Sequence, residues 1–290
     1  MLSKLWHCLR AVTKFRGYKP QPITARSFFR WISQFQSGED RDLAFSLLNS
    51  VIYLNENTVR EALVKLNNQL LRQLADEGVS PDKIIYVQMD DAGSSSPVVL
   101  NLLRNMGHLE KRGCKLVDSN HVLKLSQLTS EIGEGAIIYV DDFVGTGDQF
   151  VKTREFIGSH ILGTFSEFLL VPAICEEGVQ QVGKTGVEAV VRFIHSKAER
   201  PLHPYSNLLN ETERAQLTRL AKDFGPECYY DGLGYKRCAT MYVLYSNAPD
   251  TLPRLLRGSP DQRPKVGIFP RYDDLPTEAL GHSIDTTHIP

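Results

Sequence analysis

The chain has 290 residues, 42% of them hydrophobic, and a formal net charge of −1, which gives it material for a sizeable core in one large domain or two smaller ones, as in ordinary soluble proteins. No apolar run approaches the length of a membrane span, so a cytoplasmic protein without a membrane partner is expected. Cys8, Cys114, Cys175, Cys228 and Cys238 lack metal-type spacing and are expected to be reduced, buried thiols.

Charge is uneven along the chain. No acid precedes Glu39, whereas Lys4, Arg10, Lys14, Arg16, Lys19, Arg26 and Arg30 all do. A basic arm of this kind can contact DNA or RNA phosphates; a solvated tail and an organellar transit peptide share the same composition. Residues 25–37 then place Phe28, Phe29, Trp31, Ile32 and Phe35 at a spacing that buries one face of a short helix. Residues 41–54 set Leu43, Leu47, Leu48, Val51 and Ile52 on a second helical stripe. A third helix is predicted from the capping box Thr58-x-x-Glu61 to a stop at Gly78. Residues 1–78 thus read as a basic arm and a small helical unit. Such a unit is compatible with a winged-helix or helix-turn-helix module, and equally with a helical cap or a protein-docking surface. The exposed face predicted for the third helix holds Arg60, Lys65, Asn67, Asn68, Gln69 and Arg72, side chains able to meet phosphates or bases.

Residues 79–200 alternate strand and helix. The run KIIYVQM, residues 83–89, is a buried-strand pattern leading into Asp90, Asp91, Ala92, Gly93, Ser94, Ser95, Ser96 and Pro97, then a helix over 98–106. A short strand over 115–117 and a helix over 121–128 follow. The stretch 137–150, IIYVDDFVGTGDQF, carries the most chemistry: an apolar strand, the carboxylates Asp141 and Asp142, the turn Phe143-Val144-Gly145-Thr146-Gly147, and a helix predicted over 148–158. A strand–loop–helix junction aims free backbone N–H groups and the positive end of the helix dipole at one point, which favours a bound anion. Gly145 and Gly147 allow close approach, and Thr146 adds a hydroxyl donor. Like charges repel, so Asp141 and Asp142 are expected to face hydroxyls or a metal ion. A ribose bearing a phosphate satisfies both demands. Asp148 inside this loop is either a helix cap or a sign of a less charged ligand. Strands over 165–172 and 187–194 flank a helix over 175–182, and the alternation argues a parallel doubly wound sheet. No G-x-G-x-x-G follows the first strand, which weakens a nicotinamide or flavin reading.

Residues 201–290 are richer in loops. Asn210-x-x-Glu213 starts a helix to Phe224, a glycine-rich turn carries Lys236 and Arg237, a strand is predicted over 239–245, and Arg271 lies beyond a proline-rich stretch. This third is expected to form a lid, with Lys236, Arg237 and Arg271 either clamping a ligand or lying at the surface.

The two acids, the loop and the helix start, Asp141, Asp142, Val144, Gly145, Thr146, Gly147 and Asp148, resemble the phosphoribosyl-pyrophosphate loop of type I phosphoribosyltransferases. In that family an earlier loop receives pyrophosphate, a position taken here by Gly93, Ser94 and Ser95; its usual basic residue is replaced by Asp90 and Asp91, which suggests Mg2+. Serines capping an ordinary helix are the alternative. The resemblance narrows when the pattern Phe28-x-x-Trp31-x-x-Gln34-Phe35, the later motifs Gly232-x-Gly234-Tyr235 and NAPDTLP (residues 247–253), and Phe269-Pro270-Arg271 are added. Together these are similar to phosphoribosyltransferase-like proteins of bacterial conflict systems, found beside antiphage genes including retron reverse transcriptases. The resemblance implies a doubly wound α/β fold, transfer or modification at a phosphorylated ribose or nucleotide, and an effector held inactive by a partner such as a reverse transcriptase–nucleic acid complex. A catalytically inactive, nucleotide-sensing regulator that binds nucleic acid is the second reading.

Overall fold

The computed structural model describes residues 2–89, 96–225, 227–258 and 265–271. In chain order the elements are α1 (Leu2–Lys14), α2 (Ala25–Ile32), α3 (Gly38–Ser50), β1 (Ile52–Leu54), α4 (Glu56–Asp76), β2 (Ile84–Gln88), α5 (Ser96–Met106), β3 (Lys115–Asp118), α6 (Val122–Ile132), β4 (Glu134–Val140), β5 (Phe143–Val144), α7 (Asp148–Gly158), β6 (Thr164–Cys175), α8 (Glu176–Lys184), β7 (Glu188–His195), α9 (Glu211–Lys222), β8 (Tyr242–Leu244) and α10 (Arg254–Arg257). They divide into two compact units, one of Glu56–Lys197 and one of Met1–Asn55 with Ala198–Pro290. Among the described residues no helix is long and apolar enough to cross a membrane.

The unit Glu56–Lys197 holds a parallel sheet ordered β3-β2-β4-β6-β7, with β5 continuing the line of β4 along the same edge of β6. The strands read as continuous apolar runs because both faces are covered. On one face Ile85, Val87, Ile137, Tyr139, Leu169 and Val171 share a core with Leu125 of α6, Phe150 and Ile157 of α7, and Val182 of α8. On the other, α5 packs on β2 and β4, and α4 on β6 and β7. The fold class is therefore the expected doubly wound α/β sheet. Its strand order reverses between β2 and β4, so their carboxyl ends flank the crevice where such folds bind ligands.

Helix α4 departs from expectation. It begins at Glu56, so Thr58 and Glu61 lie inside the helix rather than at its cap. It also packs on the sheet, not in an N-terminal bundle. Asn67, expected on the exposed face, is buried and accepts a hydrogen bond from the Tyr86 hydroxyl at 2.6 Å. A helix of 21 residues spanning β6 and β7 needs a wide buried stripe, and that stripe takes in Asn67. Arg60, Lys65, Gln69 and Arg72 are exposed, and Asn68 is half-buried.

The second unit is assembled from both ends of the chain. Helix α1 is a packed helix rather than a tail: Cys8 and Ala11, with Phe15 just past its end, enter a core with Phe28, Trp31 and Ile32 of α2, Leu43, Leu47 and Leu48 of α3, and Leu217 and Leu220 of α9. Ile52, expected on the stripe of the second helix, belongs to β1, which pairs in parallel with β8, three residues of the strand expected over 239–245. Trp31 Nε1 donates to the Leu255 carbonyl at 2.7 Å, and Gln34 exchanges bonds with the Val266 backbone at 2.9 and 2.6 Å. Phe35 stacks on Phe224, and Phe269 packs edge-on against Phe15 and Tyr18. The aromatic motif of residues 28–35 thus joins the two chain ends. Asn210 and Glu213 form the expected capping box at the start of α9.

Candidate functional site

Strand β4 is fully buried from Ala136 to Val140 and delivers Asp141 and Asp142 to the carboxyl edge of the sheet. The register explains why the ladder opens there. Val140 pairs with Leu170 and Phe143 with Ala173, so Asp142 falls opposite Pro172. Proline has no N–H to donate. The ladder on the other edge of β6 skips the same residue, running from Val171–Val191 to Ala173–Phe193. Pro172 therefore stands where the pairing of β6 lapses on both edges, at the level of the acid pair. Asp141 keeps a long bond from its N–H to the Leu170 carbonyl, 3.4 Å, and its Oδ1 accepts the Asp142 N–H at 2.7 Å. Asp142 is buried and Asp141 half-buried.

Past β5 the chain turns through Gly145, Thr146 and Gly147 into α7. Gly147 is the N-cap, with φ 85° and ψ −5°, a left-handed conformation that glycine adopts at no steric cost. No side chain caps the helix from that position. The loop rests on α8 through glycine: a Cβ at Gly178 would stand 2.6 Å from the Gly145 oxygen, and one at Gly147 would stand 2.9 Å from Gln181 Cβ. Within the loop, Thr146 Oγ1 donates to Asp148 Oδ2 at 2.6 Å. Asp148 is the first residue of α7, where the helix dipole favours negative charge. Its carboxylate thus places a negative charge within the loop, at the start of α7.

Behind the cradle, α7 is fixed to the sheet. Arg154 donates to Glu167 of β6 through Nε at 3.0 Å and Nη2 at 2.5 Å, and the Tyr139 hydroxyl donates to the same carboxylate at 2.6 Å. Burial, reinforced by the Glu167 charge, pushes the Tyr139 hydroxyl above its ordinary value, and the bond to Glu167 holds Arg154 in its charged form. A cavity of about 370 Å³ beside Arg154, Phe165 and Glu167 opens at the start of β6, the end of the strands remote from the acid pair.

Of the residues singled out in the sequence, Asp141, Asp142, Val144, Gly145, Thr146, Gly147 and Asp148 come together at one edge. Asp90, Asp91, Gly93, Ser94 and Ser95 lie outside the described residues, so the expected pyrophosphate loop and Mg2+ ligands carry no geometry here. The chain enters that segment from Met89, whose N–H donates to the Val140 carbonyl at 3.2 Å. Among the described residues no group of three or more His, Cys, Asp or Glu side chains is placed to hold a metal ion. Lys236, Arg237 and Arg271 belong to the two-ended unit. Arg237 pairs with Asp231 at 2.9 Å and Arg271 with Asp250 at 3.0 Å, and Lys236 stands 5.8 Å from the Tyr235 ring. The surroundings of Asp250 oppose its charge, but Arg257, Arg271 and Arg254 outweigh them and hold its carboxyl below the ordinary value. Pro172 and Gly178 were not singled out. A proline inside an apolar strand run was a readable signal; a glycine in α8 gives none without the tertiary contact.

Compared with known families, residues 28–271 match the family model described as PRTase-CE. No curated protein matches the chain.

Proposed function

We propose, from the premise that the chain belongs to the PRTase-CE family and is a phosphoribosyltransferase-like protein, that its site at residues 141–148 binds a phosphorylated ribose and promotes exchange at the anomeric carbon. The observation that carries this reading is the meeting, beside the switch point of the sheet, of the acid pair with a glycine loop and a helix N-terminus. In this reading the amides of residues 145–148 and the Thr146 hydroxyl hold the phosphate, and Asp141 and Asp142 hold ribose hydroxyls. As the bond from the anomeric carbon to the leaving oxygen breaks and a bond to the incoming nucleophile forms, positive charge grows on the sugar. The Asp141 and Asp142 carboxylates stabilise that charge, and catalysis is otherwise positioning. Asp90 or Asp91 would supply the one or two carboxylates that Mg2+ needs, with phosphate oxygens and water completing its shell, and the bound ion would neutralise the charge of a departing pyrophosphate.

The broader motif likeness supports a role as an antiphage effector, of the kind associated with retrons, restrained by a partner complex. The test is induced expression of the wild type and of the Asp141→Asn/Asp142→Asn variant, with nucleotides and nucleic acids profiled by mass spectrometry in the presence of the triggering partner. A metabolite lost, or a ribosylated product gained, in the wild type alone is the expected result. Identical profiles would move the assignment to a nucleotide-sensing regulator that binds nucleic acid. One observation favours that second reading: the Thr146 hydroxyl is already engaged by the chain's own Asp148.

A further inference from the structure

The two edges of the sheet are unlike. Strand β3 closes one edge with four residues, whereas β7 closes the other with eight, and among the described residues no strand pairs with its outer side. A long edge of this kind presents a row of N–H and C=O groups able to accept another strand. The sequence of β7, Glu188-Ala-Val-Val-Arg192-Phe-Ile-His195, is rich in β-branched and aromatic residues. Its side chains are open to solvent at Glu188, Arg192 and Ile194, the last 51% exposed. Glu188 and Arg192 are four positions apart on the same face, and no other Asp, Glu, Lys or Arg occurs in the strand.

We propose that this edge pairs with β7 of a second copy of the chain, antiparallel about a twofold axis through Val190, so that one sheet runs across the dimer. In a two-ended edge pairing the outward-facing backbone groups of one strand must meet those of its partner, so residues of like parity lie opposite each other. Of the registers this allows, centring on Val190 sets Glu188 opposite the second copy's Arg192 and Arg192 opposite its Glu188. Centring on Ala189 or Val191 leaves both charges opposite uncharged residues, centring two residues lower than Val190 puts Glu188 against Glu188, and two residues higher puts Arg192 against Arg192. Opposite charges directly across a strand pair stabilise it and like charges destabilise it. The charge pattern therefore selects one register and is self-complementary, which is what a twofold interface requires.

The test is sedimentation velocity of the full chain over a concentration series reaching on the order of 100 µM, a range that resolves a micromolar dimer. The variants are Glu188→Arg, Arg192→Glu and the two together, all at exposed positions, with far-UV circular dichroism as the check on folding. A concentration-dependent dimer is expected for the wild type. Each single reversal should weaken it about tenfold or more, since two attractive pairs become repulsive, and the double reversal should restore it. A wild type that stays monomeric, single reversals that leave the dimer unchanged, or a double reversal that fails to restore it would each overturn the proposal.

Discussion

Asp148 is the residue on which the behaviour of the cradle turns. Its carboxylate stands at the first position of α7 and accepts the Thr146 hydroxyl proton, so a phosphate entering the loop meets a fixed negative charge and a donor already used. Two unit charges a few ångströms apart at a half-exposed site repel by roughly 1–3 kcal/mol. Asp148→Asn keeps the shape, removes the charge and leaves an amide that bonds the threonine more weakly. Titration calorimetry with ribose phosphate or phosphoribosyl pyrophosphate should show affinity rising about tenfold, equivalent to ~1.4 kcal/mol. The same change should lower stability by about 0.5 kcal/mol, because a carboxylate is lost from the positive end of a helix. Unchanged affinity would show that the ligand phosphate does not lie at this helix. That the acid pair, Thr146 and Gly147 were legible in the sequence follows from their being consecutive: a strand, two carboxylates and a turn need no distant partner to be recognised.

At the scale of elements, the loop is shaped by α8 as much as by its own residues. A methyl group at position 178 would press on the Gly145 carbonyl at 2.6 Å, Ile174 at 2.9 Å and Val144 at 3.1 Å, and the nearest of these is backbone that cannot rotate away. Gly178→Ala is therefore expected to displace the loop, cost about 1–3 kcal/mol of stability as overpacking does, and lower phosphate affinity by about tenfold or more. Thermal unfolding and ligand titration on the same sample separate the two effects; full affinity would mean the loop takes its shape without α8. A second element contact gives a pH signature. Asp40, buried in the first turn of α3, accepts from Gln216 at 2.8 Å and Arg219 at 2.6 Å on α9. Burial opposes its charge, but the bonds from Gln216 and Ser37, with Arg219, outweigh burial and hold the carboxyl below its ordinary value of 3.8. A depressed folded value contributes stability that is fully present above the unfolded value and lost as pH falls through the folded one. Urea unfolding of Asp40→Asn should thus show a deficit of about 1–2 kcal/mol at neutral pH. The gap to wild type should close as pH drops below 3.8.

For the whole molecule, what the sequence concealed is its division. The boundaries expected near residues 78 and 200 follow changes in pattern along the chain, whereas the units are set by which segments share a core. Strand β1 has no partner near it in sequence; it finds β8 almost two hundred residues later, so a three-residue strand after an apolar helix reads as more helix. Conversely, every strand of the parallel sheet lies inside Glu56–Lys197, and both helical layers come from the same segment. A fragment of residues 56–197 is expected to fold cooperatively, whereas residues 1–55 alone lack α9, β8 and the carbonyl of Leu255 that holds Trp31. The fragment also tests the lid cations. Arg237 and Arg271 are each committed to a carboxylate of their own unit, and using either on a ligand would break an existing pair. Phosphate affinity of the fragment should therefore lie within about threefold of the full chain, under 1 kcal/mol. A loss of a hundredfold would mean that these cations leave Asp231 and Asp250 to close on the ligand, and the C-terminal third would then be a lid in function.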